Sequence, residues 1–211
     1  MEFLNKVKNY FLTLKDVGIY RISLRIIFEF KIKFYELIPS YFLNYFLNSN
    51  QKNINWININ NSDLKKNKNV RIYKLNSKKK EIIFNFLNQK KKLSFPLDWN
   101  NKSWSKLWRF NLHYFEWARQ ILDRDLNKKS FNKKIVLIDY LIDEWIAKNY
   151  FPKGDGWHSY TLSYRIRNWI LIFRYFPELN NQFRVKSLWS QTCWLHKNLE
   201  IHHGGNHLLE N

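Results

Sequence analysis

Apolar residues recur at helical spacing through the second half of the chain. Ile135, Ile138, Leu141, Ile142, Trp145 and Ile146 fall on one face of a helix, and the turn-forming run 152–156 (Pro-Lys-Gly-Asp-Gly) ends it. Leu162, Ile166, Trp169, Ile170 and Phe173 predict the next helix, closed by Pro177. Val185, Leu188, Trp189, Thr192 and Leu199 share a face of another, which runs up to Gly204 and Gly205. Ahead of these, residues 104–122 read as one aromatic helix, followed by a polar break at 127–130. Helices joined by short connectors predict antiparallel α-hairpins around a shared core.

The first half is less regular. Residues 1–48 read as amphipathic, aromatic-rich helices interrupted at Gly18 and at Pro39-Ser40. Ile22, Ile26 and Phe30, with Ile19 and Leu37 nearby, form an apolar stripe opposite the basic positions. Packing of that stripe against the rest of the protein is the expectation, and a helix lying on a membrane surface is the alternative. Residues 49–98 are Asn-rich, with short apolar runs at 54–59, 70–75 and 82–87 and turns at Asn76-Ser77 and Asn88-Gln89. They predict short strands or irregular extended pieces. The expected class is mainly α, in three segments: basic helices (1–48), an extended, β-containing linker region (49–98) and a helical domain (99–211).

Composition adds two constraints. Of 211 residues, 45% are hydrophobic and 18% aromatic, with 10 Trp, ample for one core. So many Trp and Tyr side chains suit a helical core, and they also suit the stacking walls of a sugar-binding cleft. The net charge of +19 favours a polyanionic partner: nucleic acid, an anionic membrane surface or an acidic polysaccharide. Runs of Lys at 65–66, 78–80 and 90–92, mixed with Asn, also fit solvated loops. The single cysteine, Cys193, excludes an internal disulfide and any multi-cysteine zinc site. It reads as a small packed residue. The N-terminus has no signal-peptide pattern, and no apolar run reaches the length of a membrane span. These features predict a cytoplasmic protein with no transmembrane segment.

Three clusters carry candidate chemistry. In the first, Asn111, His113 and Tyr114 are polar groups inside a dense aromatic run. They read either as hydrogen-bonded core residues or as substrate contacts. In the second, Trp157, His158 and Tyr160 open a helix directly after the Gly-rich loop and could line the mouth of a cleft. Arg165, one turn before Trp169, reads as a buried, paired arginine, and Arg167 as outward-facing. The third cluster is Gly204-Gly-Asn-His207, preceded by His202 and His203. Adjacent histidines rarely chelate one metal, so His202 and His203 read as loop or cleft residues and no metal site is expected. An amide at a helix N-terminus can stabilise the carboxylate of a uronic acid as its C5 proton leaves, and an imidazole can accept a proton near neutral pH. Asn206 and His207 fit those two roles.

Taken together, these clusters resemble the heparinase II/III family of polysaccharide lyases. The resemblance rests on their order and spacing: Trp99 with Leu107-Trp-Arg-Phe-Asn-Leu-His-Tyr-Phe115, then Trp157-His-Ser-Tyr160 with Arg165-Ile-Arg-Asn-Trp169, then Asn198-Leu-Glu200 with Gly205-Asn-His-Leu-Leu-Glu-Asn211. Relatives often have Pro where this chain has Ser159. The resemblance implies an incomplete α/α toroid over 99–211, followed in relatives by further helices and a β-sandwich domain. By motif it assigns Asn206 as the carboxylate-neutralising asparagine and His207 as the adjacent catalytic histidine. Trp157, His158, Tyr160, Asn111, His113, Tyr114 and His203 become candidate substrate contacts. The family's catalytic tyrosine lies on a later helix and another histidine in the β domain, so neither maps onto this sequence. The expectation is therefore the N-terminal part of a lyase that cleaves uronate polysaccharides, glycosaminoglycans among them, by β-elimination. It should need no cofactor and be inactive by itself. Many relatives work in the periplasm, which keeps the cell envelope open as an alternative location.

Two other functions fit the residues. One is a non-catalytic module for anionic glycans. The other is a nucleic-acid-binding protein driven by the +19 charge. It lacks any zinc, helix-turn-helix or RNA-recognition motif, so nucleic acid is not the expected partner.

Overall fold

The alternation of Ile82, Phe84 and Phe86 with half-buried polar and apolar neighbours produces a strand with one face in the core. A computed structural model of the chain describes residues 18–39, 42, 73–76, 81–122 and 128–200. The predicted run at 54–59, His203 and the Asn206-His207 pair lie outside the described residues. Strands β1 (Tyr73–Asn76), β2 (Glu81–Phe86) and β3 (Gln89–Ser94) form an antiparallel sheet in sequence order. The β2–β3 loop is Leu87-Asn88, with φ 54° and 58°, the left-handed pair that a two-residue hairpin turn requires. It falls one residue earlier than the Asn-Gln pattern predicts. Phe84 meets the Trp117 ring at 4.9 Å and Phe86 meets Trp108 at 5.0 Å, so the hairpin shares its core with the helices.

Six helices make the described structure mainly α: α1 (Ile19–Leu37), α2 (Lys106–His113), α3 (Glu116–Leu122), α4 (Lys128–Lys148), α5 (Ser159–Tyr175) and α6 (Gln182–Lys197). Short 3-10 turns, Asp155–Trp157 and Pro177–Leu179, precede α5 and α6. Side-chain caps mark three helix starts. Ser105 accepts from the Trp108 N–H, His158 from that of Tyr160 and Asn181 from that of Arg184. Helices α5 and α6 run antiparallel. The start of α5 meets the residue after α6 through Ser159 and Asn198, and Arg165 meets Gln191 midway.

Three expectations change. The single helix over 104–122 is two helices, because Phe115 adopts φ 58° between them. Its ring is wholly buried, stacked on Trp99 at 5.6 Å and edge-on to Trp169 at 5.3 Å. The buried face of α6 carries Arg184, Leu188, Gln191 and Leu195, while Thr192 is exposed. Two polar residues sit on the inner face because each has partners there. Arg184 bonds Asp143 and the Leu179 carbonyl, and Gln191 bonds Arg165. The inner face of α1 is the row Leu24, Phe28, Ile32 and Tyr35, all half-buried, whereas Ile19, Ile26, Phe30 and Leu37 point outward. The helices at α4 and α5 follow their predicted faces, with Ile138, Leu141, Ile142 and Trp145, then Leu162, Ile166, Trp169 and Phe173, all buried.

Candidate functional site

Between α1 and the loop ahead of α5 lies an open cleft of about 590 Å3. Its floor is aromatic and polar: Trp157, His158, Ser159, Trp194 and Glu200. Its rim carries Lys33 from α1 and Lys102 and Lys106 from the opposite side. All three lysines are exposed, and none is in an ion pair among the described residues. The rim therefore carries lysines alongside the carboxylates of Glu29 and Glu36, over a floor of aromatic and polar groups.

The floor is built by the Gly-Asp-Gly loop. Gly154 sits at φ 84°, and a side chain on Gly156 would come within 3.0 Å of the Trp145 ring and 3.1 Å of His113 Nδ1. Only glycine allows that approach. Asp155 is held by Arg109 from α2, which also donates to the Trp104 carbonyl. Trp157 donates to the Asn149 carbonyl, and its own carbonyl accepts from the Trp194 indole. Ser159 donates to the Asn198 carbonyl, tying the start of α5 to the end of α6. Glu200 is thereby drawn into the floor.

His158 is fixed on both sides. Its Nδ1 accepts from the Tyr160 N–H at 3.3 Å, which leaves the ring proton on Nε2. Nε2 faces Glu200 Oε1 at 3.7 Å, and the ring packs on Phe110 at 4.9 Å. A one-third exposed imidazole beside a buried carboxylate can donate to a bound oxygen or hold positive charge near a bound anion.

The other sequence candidates take different places. His113 is wholly buried and accepts from the Trp145 indole through Nδ1 at 2.9 Å. Burial, then the charges of Arg165 and Arg109, hold its pKa well below the ordinary histidine value. It is a neutral core residue and does not reach the cleft. Asn111 is half-buried and donates to the Leu107 carbonyl. Tyr114 is buried, stacked on Tyr164 at 4.7 Å, and Tyr160 brings its hydroxyl within 3.5 Å of that of Tyr164. Burial, then Tyr160 and Glu116, raise the Tyr114 phenol above its usual range. Of the predicted contacts within the described residues, the cleft lining brings together Trp157 and His158; Asn111, His113, Tyr114 and Tyr160 lie elsewhere.

The Arg165-Ile-Arg-Asn-Trp169 motif explains how the pieces are held. Arg165 is fully buried, stacks on Trp145 at 3.8 Å and donates to the carbonyls of Gly156 and His113 and to Gln191. Asn168 donates to the Tyr114 carbonyl. These two side chains satisfy the carbonyls left open where α2 ends. Arg167 is exposed, as its spacing predicts. Burial pushes the Arg165 pKa down, and its partners are neutral carbonyls and an amide.

Sequence reasoning missed Glu200 and the three rim lysines as site residues. Glu200 stood inside the Asn198-Leu-Glu200 motif, so a signal existed; the lysines meet only because α1 packs opposite the turn and helix start that carry Lys102 and Lys106. Among the described residues, no cluster of His, Cys, Asp or Glu has the arrangement of a metal site. Cys193 is half-buried, and burial raises its thiol pKa, against a nucleophilic role. No helix among the described residues is long and apolar enough to cross a membrane. Comparison with protein-family models, curated proteins and solved structures found no match.

Proposed function

We propose that the chain is the N-terminal part of a heparinase II/III-like lyase and that its cleft binds an acidic, uronate-containing polysaccharide. One observation carries the reading: residues from separate sequence clusters, Trp157, His158 and Glu200, share a cleft where Lys33, Lys102 and Lys106 stand at the rim together with Glu29 and Glu36. Lysines at the rim suit sugar carboxylates, the aromatic floor suits sugar faces, and His158 suits a hydroxyl or carboxylate oxygen. On this reading the paired helices are the opening of an α/α toroid.

Catalysis would be β-elimination. A base takes the C5 proton of the uronate, the C4–O bond breaks, a C4–C5 double bond forms, and an acid protonates the departing glycosidic oxygen. Asn206 would donate to the uronate carboxylate as negative charge grows on it, and His207 would move a proton. Asn206 follows Glu200 by six positions, a chain reach of at most about 20 Å from the cleft floor. None of these 211 residues is assigned to the tyrosine and second histidine of that chemistry. Binding is thus the activity expected of this chain alone, and elimination the activity expected once those groups are supplied.

The test is retention on an immobilised uronate polysaccharide, eluted by soluble uronate oligosaccharide or by a neutral glucan of equal length. Elution by the uronate alone, with retention weakened in Asn206→Ala and in His158→Ala, supports the reading. Equal elution by both sugars, or retention untouched by either substitution, overturns it.

A further inference from the structure

A second hollow, of about 350 Å3, lies between the end of α4 and α6. Tyr150 and Phe183 line it with rings that are 71% and 57% exposed, an open placement for large side chains that have apolar neighbours at hand. Ser187 and Ser190 line it from α6 with their hydroxyls bonded to Gln191 and to the Lys186 carbonyl, and among the described lining residues Lys186 is the only charged one. The first cleft mixes lysines with Glu29, Glu36, Asp155 and Glu200. Among its described lining residues the second carries positive charge with no carboxylate. Open rings and a lone cation are groups that bind an anionic sugar: rings stack on its apolar face and the ammonium meets its carboxylate.

The two hollows share a wall. Trp157 lines both, and the segment 149–159 supplies Asn149, Tyr150 and Phe151 to the second and Pro152, Gly154, Asp155, His158 and Ser159 to the first. A polymer long enough to extend from the cleft across the Phe151-Pro152 edge would meet the second hollow. We propose that this second hollow is an auxiliary saccharide site that holds a distal uronate of the chain bound in the cleft. The inference rests on the glycan reading of the cleft and adds to it a length requirement. Two tethered contacts raise affinity only for ligands long enough to reach both.

The experiment is calorimetric titration with size-fractionated heparin, chondroitin and alginate oligosaccharides, disaccharides against octasaccharides. The intact chain is compared with Tyr150→Ala/Phe183→Ala. Both rings are solvent-exposed, so the double variant should keep its fold, which its circular dichroism and melting temperature check. For the class that binds, the octasaccharide is expected to bind at least about tenfold tighter than the disaccharide, the loss of both rings erasing that advantage while disaccharide affinity stays the same. A disaccharide that binds as tightly as the octasaccharide overturns the auxiliary site and leaves the cleft reading intact, as does a length advantage that survives the double substitution. Absence of binding at every length in all three classes overturns the cleft reading, and the auxiliary site with it.

Discussion

Phe115 and His113 show how much the site depends on single residues in the core beneath it. An aromatic residue at φ 58° works against a backbone cost of about 1–2 kcal/mol, offset here by a ring buried among Trp99, Trp145 and Trp169. Phe115→Ala is expected to destabilise by about 3–5 kcal/mol. Phe115→Gly should be less destabilising than Ala by about 1 kcal/mol, the reverse of the usual order, because glycine relieves the left-handed strain. Urea denaturation of the two variants reads the order directly. His113 makes a pH prediction. Its folded pKa lies well below the ordinary 6.5, so folding favours the neutral ring. The stability it contributes is complete above pH 6.5 and is lost as pH falls below that value, at up to about 1.4 kcal/mol per pH unit. Glu144 acts in the opposite sense. Burial raises its pKa, so its contribution is largest in acid, below its unfolded value, and is lost as pH rises through the folded one. The difference in denaturation midpoint between the native chain and His113→Gln, followed from pH 7 to pH 5, isolates the histidine; a constant difference would contradict the assignment.

At the scale of elements, α1 stands apart from the rest. None of its residues is buried, and it is fastened by Ile32 and Tyr35 against the core, by the Tyr35–Trp194 ring contact at 5.2 Å and by Lys31 donating to the Lys197 carbonyl. Helix α5 buries ten residues and is anchored by Arg165 and Asn168. Amide exchange in α1 should therefore be much faster than in α5. Tyr35→Ala should speed α1 further and leave α5 unchanged; equal protection of the two helices would contradict the packing described. Arg184 joins α4 to α6 through Asp139 and Asp143. Burial opposes its charge, but the hydrogen bonds it donates to the two carboxylates outweigh that and raise its pKa. Arg184→Met leaves the Leu179 and Asp139 carbonyls without their donor and is expected to cost about 1–3 kcal/mol, more than Arg184→Lys, with the melting temperature as the readout.

Elements whose inner face is dominated by large apolar residues were legible in the chain, and α6 was not. α4 and α5 follow their 3.6-residue pattern because Ile, Leu, Trp and Phe recur along their inner rows, even with Glu144, Arg165 and Asn168 buried among them. α6 does not, because Arg184 and Gln191 take inner positions that only their partners on other elements explain. The break at Phe115 was hidden for a similar reason. Nothing in an aromatic run marks which ring will turn the backbone, and no Gly or Asn signals it. On α1 apolar residues occupy two opposite sides, so the periodicity alone could not choose the packed one.

For the molecule as a whole, the candidate site was readable in part. Trp157 and His158 stood out from the glycine loop before them, and that loop forms the cleft floor. The rim lysines did not stand out, because Lys33 comes from α1, Lys106 from the start of α2 and Lys102 from the turn before it, and nothing in the sequence sets them apart from the other lysines. Asn206 and His207 carry the sequence argument for elimination and lie outside the described residues, so the structural argument is one of binding. The most direct test of the central claim is isothermal titration of an octameric uronate oligosaccharide, a neutral glucan of the same length and single-stranded DNA of similar charge, each at low and raised salt. The uronate is expected to bind and the glucan not to, DNA binding to disappear at raised salt, and Lys102→Gln/Lys106→Gln to weaken uronate binding by about tenfold. DNA binding as tight as the uronate at both salt levels, or uronate binding indifferent to the two rim lysines, would contradict that claim.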